Sequence, residues 1–329
     1  MNSAYPSKVL ITGGREIGGI GSFAEGLRSG FSSLGIPAEI VPPSGILTRS
    51  RQLRDPAILK ILSTTAVFAA PFARRVICMA HGVPRADYQG WARMISIIGS
   101  YKLTNLCRGA HLVSVSHYTK ATLQAIFNVR TDAVVHNPVK PLYLESASSP
   151  PSDRRYLTYV GRLIRAKNLH RILPAVREVL DENPGLRMCI VGEGEQRSEL
   201  EAIVEGDVRF EFKGAPDDLH VRAWLRRSKV FVSGNEVEGF GIVFLEAMTQ
   251  GCNVVMPASG GGLEIAPELI GRNIFPFSAS FAREDVARAL RAALRAEPVS
   301  APFACSSVRE TALAFLAADA RFMNEEVSA

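Results

Sequence analysis

Short runs of apolar, mostly β-branched residues alternate with longer amphipathic stretches along the chain. Lys8–Thr12 reads as a strand, followed by a glycine-rich loop and a helix from about Ile20 to Leu34, which Gly35 stops as a C-terminal cap. Ala38–Val41 is the next strand, ended by Pro42 and Pro43. Val76–Ala80 and His111–Val115 read as further strands, the second leading into a helix from about Tyr118. Glu145–Asp153, rich in Ser and Pro, has linker composition, and the alternation restarts after it. Strands are expected at Tyr156–Val160, Arg187–Val191, Arg209–Lys213, Val230–Ser233 and Asn253–Met256. Helices are expected at about Asn168–Asp181, Gln196–Val204, Val221–Arg227, Ile242–Gln250, Glu284–Arg295 and Val308–Asn324. This alternation predicts two doubly wound α/β domains, parallel sheets with helices on both faces. In such sheets ligands bind at the carboxyl ends of the strands, so a cleft between the domains is the expected site.

Composition narrows the classes. A chain of 329 residues with 47% apolar and 21% charged side chains can bury a large core, which excludes disordered and collagen-like architectures. The uncharged run Ile61–Ala73 is 13 residues long, short of the roughly 20 that a spanning helix needs. The N-terminal stretch lacks a signal peptide's apolar region, so a cytoplasmic location is expected. Cys78, Cys107, Cys189, Cys252 and Cys305 form no C-x-x-C pair and read as reduced structural thiols. Charge is uneven: residues 1–150 hold 16 basic and 7 acidic side chains, whereas the remainder holds 22 and 25. A basic first half predicts an anionic partner such as a membrane surface, or else a solvated basic face. Arg49, Arg51, Arg54, Lys60, Arg74 and Arg75 flank the Ile61–Ala73 run, a pattern suited to interfacial contact and equally to a buried core helix. Nucleic acid is not an expected partner, because the basic residues are not interleaved with an aromatic platform.

Gly19-Ile20-Gly21-Ser22-Phe23-Ala24 matches G-x-G-x-x-A, with Glu39 20 residues beyond Gly19, which suggests a dinucleotide site and an oxidoreductase. Its geometry is poor, since six residues separate Thr12 from Gly19 and Glu39 falls inside a strand. The glycines still permit close approach to a phosphate or sugar. Four pieces after strands in the second half are more informative. Gly161 ends a strand and places Arg162 and Lys167 at the mouth of the sheet, where a guanidinium fork and a compact ammonium suit a diphosphate. Gly192 and Gly194 let the chain pass close to a ligand or simply make a tight turn. Gly214 opens a loop whose backbone could contact a nucleobase. Glu238-Gly239-Phe240-Gly241-Ile242 then starts a helix whose amides and dipole suit phosphate, with Glu246 about one turn inside, placed for ribose hydroxyls.

Glu238 and Glu246 form E-x7-E inside EGFGIVFLEAMTQG, and this segment, with YVGRLIRAKN, IVGEGE and Ser259–Glu264, resembles family-four retaining glycosyltransferases of the GT-B fold. Gly18–Gly21, His81-Gly82, Val115-Ser116 and Asn137-Pro138 extend the resemblance into the first half. It implies an acceptor domain over 1–147, a nucleotide-sugar domain over 153–300, and a last helix, 308–329, packing back on the first, the two domains facing a central cleft. Arg162 and Lys167 would then hold the donor diphosphate, Glu246 the ribose and Glu238 the donor sugar. Gly241 and Ile242 amides would touch phosphate beside Phe240, Gly161, Gly192 and Gly214, Gly19 would lie across the cleft, and His81 would sit near the donor sugar or acceptor hydroxyl. The implied reaction is retaining transfer from a UDP- or GDP-sugar to a glycan or lipid-linked acceptor, in cell-surface polysaccharide or lipopolysaccharide synthesis. No Asp-x-Asp occurs, so no metal or other cofactor is expected. The extra glycine in Ser259–Glu264 leaves the role of Glu264 open. Other readings are a non-catalytic GT-B-like partner of another transferase, a phosphorylase or epimerase of the same fold, and a NAD-dependent oxidoreductase.

Overall fold

The computed structural model describes residues 5–13, 19–145, 153–299 and 306–328. The chain divides into two compact units, Met1–Pro141 with Cys305–Ala329, and Leu142–Ala304. Gly18, most of the Ser/Pro-rich linker and Cys305 lie outside the described residues.

The N-terminal unit runs β1 (Lys8–Thr12), α1 (Gly19–Ser33), β2 (Ala38–Val41), α2 (Ser50–Arg54), β3 (Ile58–Ser63), β4 (Val76–Ala80), α3 (Ala86–Gln89), α4 (Trp91–Leu106), β5 (Ala110–Ser114), α5 (His117–Phe127) and β6 (Ala133–Val134). The strands form one parallel sheet in the order β2-β1-β3-β4-β5-β6. Every residue of β3 and β4 is buried, as sheets covered on both faces require. The short α6 (Pro141–Leu144) spans the boundary between the units.

The C-terminal unit continues with β7 (Tyr156–Val160), α7 (Leu169–Glu182), β8 (Arg187–Val191), α8 (Arg197–Ile203), β9 (Phe210–Phe212), α9 (Asp218–Arg226), β10 (Ser228–Val232), α10 (Ile242–Thr249), β11 (Asn253–Pro257), β12 (Ile274–Phe277) and α11 (Arg283–Arg295). Its parallel sheet has the order β12-β11-β10-β7-β8-β9, so the chain leaves β7 in one direction and, from β10, builds the other half. Leu169, Ile172, Leu173, Val176, Val179 and Leu180 line one face of α7 and join Val286, Leu290 and Ala293 of α11 in a single core.

α12 (Val308–Ser328) belongs to the N-terminal unit and packs on α1. Gly30 makes the approach close: a Cβ there would lie 2.0 Å from the Val308 carbonyl oxygen. Phe315 and Phe322 are buried, and Asp319 receives a forked pair of bonds from Arg75, the shortest 2.6 Å.

The Ile61–Ala73 run is not a core α-helix, and Phe68 and Phe72 within it are exposed. Ile61 to Ser63 complete β3, Thr64–Phe72 is a 3-10 helix, and Ile61, Leu62, Ala66, Val67, Ala69 and Ala70 are buried. Three of the six flanking cations are also engaged, Arg49 with Glu39, Arg75 with Asp319, and Lys60 inside the sheet. Lys60 Nζ donates to the carbonyls of Asp55 (2.5 Å) and Arg74 (2.7 Å). Burial lowers this ammonium from 10.5 to about 8. The unfolded chain therefore binds more protons between those values, and stability from this group rises with pH across that window. Urea unfolding should show the stability of the wild type relative to Lys60→Met increasing from pH 8 to pH 10; a constant difference rules out a depressed lysine.

Among the described cysteines, Cys78, Cys107, Cys189 and Cys252 are free. Burial pushes the Cys78, Cys189 and Cys252 thiols up to about 12, which keeps them protonated and unreactive.

Candidate functional site

In a doubly wound sheet the two loops that leave the crossover strands diverge and open a crevice at their carboxyl ends. In the C-terminal unit these strands are β7 and β10. The loop after β7 carries Gly161, Arg162 and Lys167, and the loop after β10 carries Glu238 and leads into α10. The Asn168 side-chain amide ties them, donating to the Gly234 carbonyl at 3.2 Å.

Lys167 Nζ lies 3.1 Å from Glu238 Oε2, and Asn235 Nδ2 donates to the same oxygen at 2.5 Å. Burial pushes the Glu238 carboxyl up, but the Lys167 charge, the Asn235 amide, the Lys167 hydrogen bond and the Gly239 N–H outweigh it. It stays below its ordinary range and is a carboxylate at neutral pH. Such a group accepts hydrogen bonds from sugar hydroxyls and cannot serve as a general acid. The Glu238 backbone is held from the loop after β11, where Gly261 N–H donates to the Glu238 carbonyl at 2.7 Å and Ser259 Oγ to the Glu236 carbonyl at 2.7 Å.

Gly241, in the left-handed region at φ 85°, is the N-cap of α10 and offers no side chain to its first turn. A Cβ there would sit 2.6 Å from the Phe244 ring and 3.2 Å from Glu238 Cγ. The glycine thus lets the helix start, Ile242 included, come down beside the carboxylate, with Phe240 buried behind it. Glu246 is buried in α10, near enough to Tyr143 that its charge, after burial itself, helps raise that phenol's pKa.

Gly161, Gly192 and Gly214 stand side by side at the ends of β7, β8 and β9. Gly161 N–H donates to the Val191 carbonyl at 3.0 Å and Gly192 N–H to the Gly214 carbonyl at 2.6 Å. Arg162 follows Gly161 in this row and is exposed, its carbonyl accepting a 2.9 Å bond from the Tyr159 hydroxyl. Glu264 ends a 3-10 turn, Gly261–Glu264, in the loop that supports Glu238.

Residues 144–303 match the family model "Glycosyl transferases group 1". The match covers almost the whole C-terminal unit. The chain is similar to a polypeptide of human phosphatidylinositol N-acetylglucosaminyltransferase, 29% identical over 185 residues, which are 54% of this chain and 38% of that protein. It thus spans well under half of that relative's length. Among solved structures, the lipopolysaccharide-biosynthesis glycosyltransferase WaaG superposes with a TM-score of 0.66 at 16% identity, covering 96% of this chain and 95% of WaaG. Anabaena HepE in complex with UDP and glucose gives 0.65 at 14% identity, covering 98% and 100%. These likenesses establish two parallel-sheet Rossmann-like units of the GT-B fold.

The remaining expected residues, Gly19 and His81, lie in the N-terminal unit. Gly19 is the first residue of α1. His81 follows β4 with its ring edge-on to Phe23, centroids 4.7 Å apart, and its buried Nε2 has no hydrogen-bond partner among the described residues. Burial lowers its pKa to about 4, so it is a neutral imidazole at physiological pH. Glu39, the acid of the dinucleotide-like pattern, is ion-paired with Lys8 at 2.6 Å and Arg49 at 2.7 Å. Sequence reasoning missed Asn235; its signal was a short polar side chain between Gly234 and the acidic loop, three residues before Glu238.

Proposed function

We propose that the protein is a metal-independent, retaining glycosyltransferase that moves a sugar from a UDP- or GDP-sugar to a hydroxyl of a glycan or lipid-linked acceptor. The observation that carries this reading is the Lys167–Glu238 pair at the β7/β10 crossover, inside a segment matching a glycosyl transferase model. In the reaction the acceptor oxygen bonds to the anomeric carbon as the bond from that carbon to the bridging phosphate oxygen breaks. The electron pair of that bond stays with the nucleoside diphosphate, and the acceptor proton leaves on a phosphate oxygen. Lys167, Arg162 and the amides at Gly241 and Ile242 meet the developing charge with fixed positive ends. Glu238 orients sugar hydroxyls, Glu246 the ribose, and Gly161, Gly192 and Gly214 line the nucleotide's path. In the N-terminal unit, His81 offers a hydrogen bond rather than a charge.

The acceptor reading rests on the phosphatidylinositol named in the human relative and on the lipopolysaccharide role named for WaaG. No described helix is long and apolar enough to cross a membrane. The membrane contact expected of the basic half is part of this proposal; α4, which exposes Trp91, Ile95, Leu103 and Leu106 with Arg93 and Lys102, is a face that would suit it.

Thermal unfolding of the full chain with UDP, GDP, their sugar conjugates and NAD tests the assignment. A nucleotide or its sugar at about 100 times its dissociation constant adds roughly 2.7 kcal/mol, and the shift should persist in EDTA. Stabilisation by NAD alone would restore the oxidoreductase reading, and no response to any nucleotide would favour the non-catalytic one.

A further inference from the structure

At the amino ends of β4 and β5, the sheet edge opposite to the one that leads into His81, the N-terminal unit has a cavity of about 570 Å³. That volume is within the range of pockets that hold small organic ligands. Arg74, Arg75, Arg108 and Arg130 line it together with Asp132. The nearby acids are already committed. Asp319 is clamped in the buried fork from Arg75, and Asp132 accepts from the Leu112 N–H at 3.0 Å and from Arg130 at 3.1 Å, with His111 at 3.7 Å. Arg74 and Arg108 have no ion-pair partner among the described residues, and both side chains are exposed.

These two arginines stand on neighbouring, fixed connections. Arg74 N–H donates to the Leu53 carbonyl at 2.9 Å, its own carbonyl accepts from Lys60, and Arg75 is held in the left-handed region at φ 55°. Just after Arg108, the Gly109 carbonyl accepts from the Val76 N–H at 3.0 Å, which joins the two connections. The wall beside them is less polar: Cys107, Ala110 and Met323 line it, and the His111 ring stacks on Phe322 with centroids 3.9 Å apart. Two unmatched guanidinium groups on rigid backbone, next to an apolar wall, suit an anionic head with an organic body.

We propose that this cavity binds a phosphorylated ligand, Arg74 and Arg108 gripping its phosphate or diphosphate group. The same chemistry is offered by a soluble organic phosphate and by a phospholipid headgroup. Inorganic pyrophosphate, titrated calorimetrically into full-length Lys167→Ala protein, tests it with the C-terminal site weakened. Saturable binding is expected, weakened at least tenfold when Arg74→Ala and Arg108→Ala are added, and partly recovered by the corresponding lysine pair, which keeps charge but not the fork. Unfolding midpoints without ligand should match the parent, since both side chains are exposed. Binding that is absent from Lys167→Ala, or unaffected by the arginine changes, overturns the proposal. Vesicles containing phosphatidylinositol 4-phosphate that displace pyrophosphate, and require both arginines, identify a headgroup as the source. Vesicles that leave pyrophosphate binding intact identify a soluble ligand.

Discussion

Lys167→Ala is expected to lower turnover by about two to three orders of magnitude, the usual loss when one preorganised charge-stabilising group is removed. The ammonium sits at the end of a short 3-10 turn, Arg165–Lys167, closed by Asn168 in the left-handed conformation at φ 52°, so its position is set by backbone and not by a flexible loop. Glu238 lies 3.1 Å from it. A donor diphosphate would compete for the same cation, and the carboxylate would then be released toward sugar hydroxyls. Removing the lysine has a second consequence. Glu238 keeps its bonds from Asn235 and the Gly239 N–H but loses the Lys167 charge, so its pKa climbs and the folded state weakens. The destabilisation should be about 1–3 kcal/mol, the cost of leaving a partly buried polar group short of a partner. Adding Glu238→Gln removes the uncompensated charge and should recover most of that stability without recovering turnover. Steady-state kinetics and urea unfolding on the single and double variants separate the two effects. Near-normal turnover in Lys167→Ala would remove the lysine from the mechanism.

The pattern of apolar positions carried most of the sheet framework, because parallel strands buried on both faces read as short continuous apolar runs. It failed where neighbouring segments blur or break that signal. β3 runs directly into an apolar 3-10 helix and has Lys60 at its centre, so Ile61–Ala73 looked like one segment with charged flanks. Only the structure shows the lysine bonded to two carbonyls inside the sheet. β12 contains Pro276, which argues against a central strand; β12 is an edge strand, where a missing N–H is tolerated. The crossover at β7 and β10 was legible only in part, since strand order depends on long-range pairing that local patterning does not encode. The glycines and charges of the candidate site stood out as motifs, but the direct pairing of Lys167 with Glu238 did not. It joins residues 71 apart in sequence, and the Asn235 that completes it had no motif to mark it.

The glycine row under the site leads to the other large effect. Gly192→Ala is expected to cost more than about 4 kcal/mol, beyond the range of ordinary point substitutions. A Cβ at this position would lie 1.8 Å from the Gly161 carbonyl oxygen and 2.9 Å from its carbon, and φ is 140°, where L side chains are rare. Neither strand end can retreat. Gly161 is tied to the Val191 carbonyl, Gly192 to Gly214, and Leu163 to the Glu193 carbonyl at 2.9 Å, so relief of the clash would break the ladder between β7 and β8. Two other glycines of the same unit isolate the cause. Gly206 has φ 77° with nothing within 4 Å of an added methyl, so alanine there should cost only the left-handed conformational penalty, about 1–2 kcal/mol. Gly185 has neither a positive φ nor a neighbour within 4 Å, and alanine should change stability by no more than about 0.5 kcal/mol. Urea unfolding of the three variants therefore ranks clash, backbone strain and neither. If Gly192→Ala behaves like Gly206→Ala, the ends of β7 and β8 do not approach closely enough for the added methyl to clash.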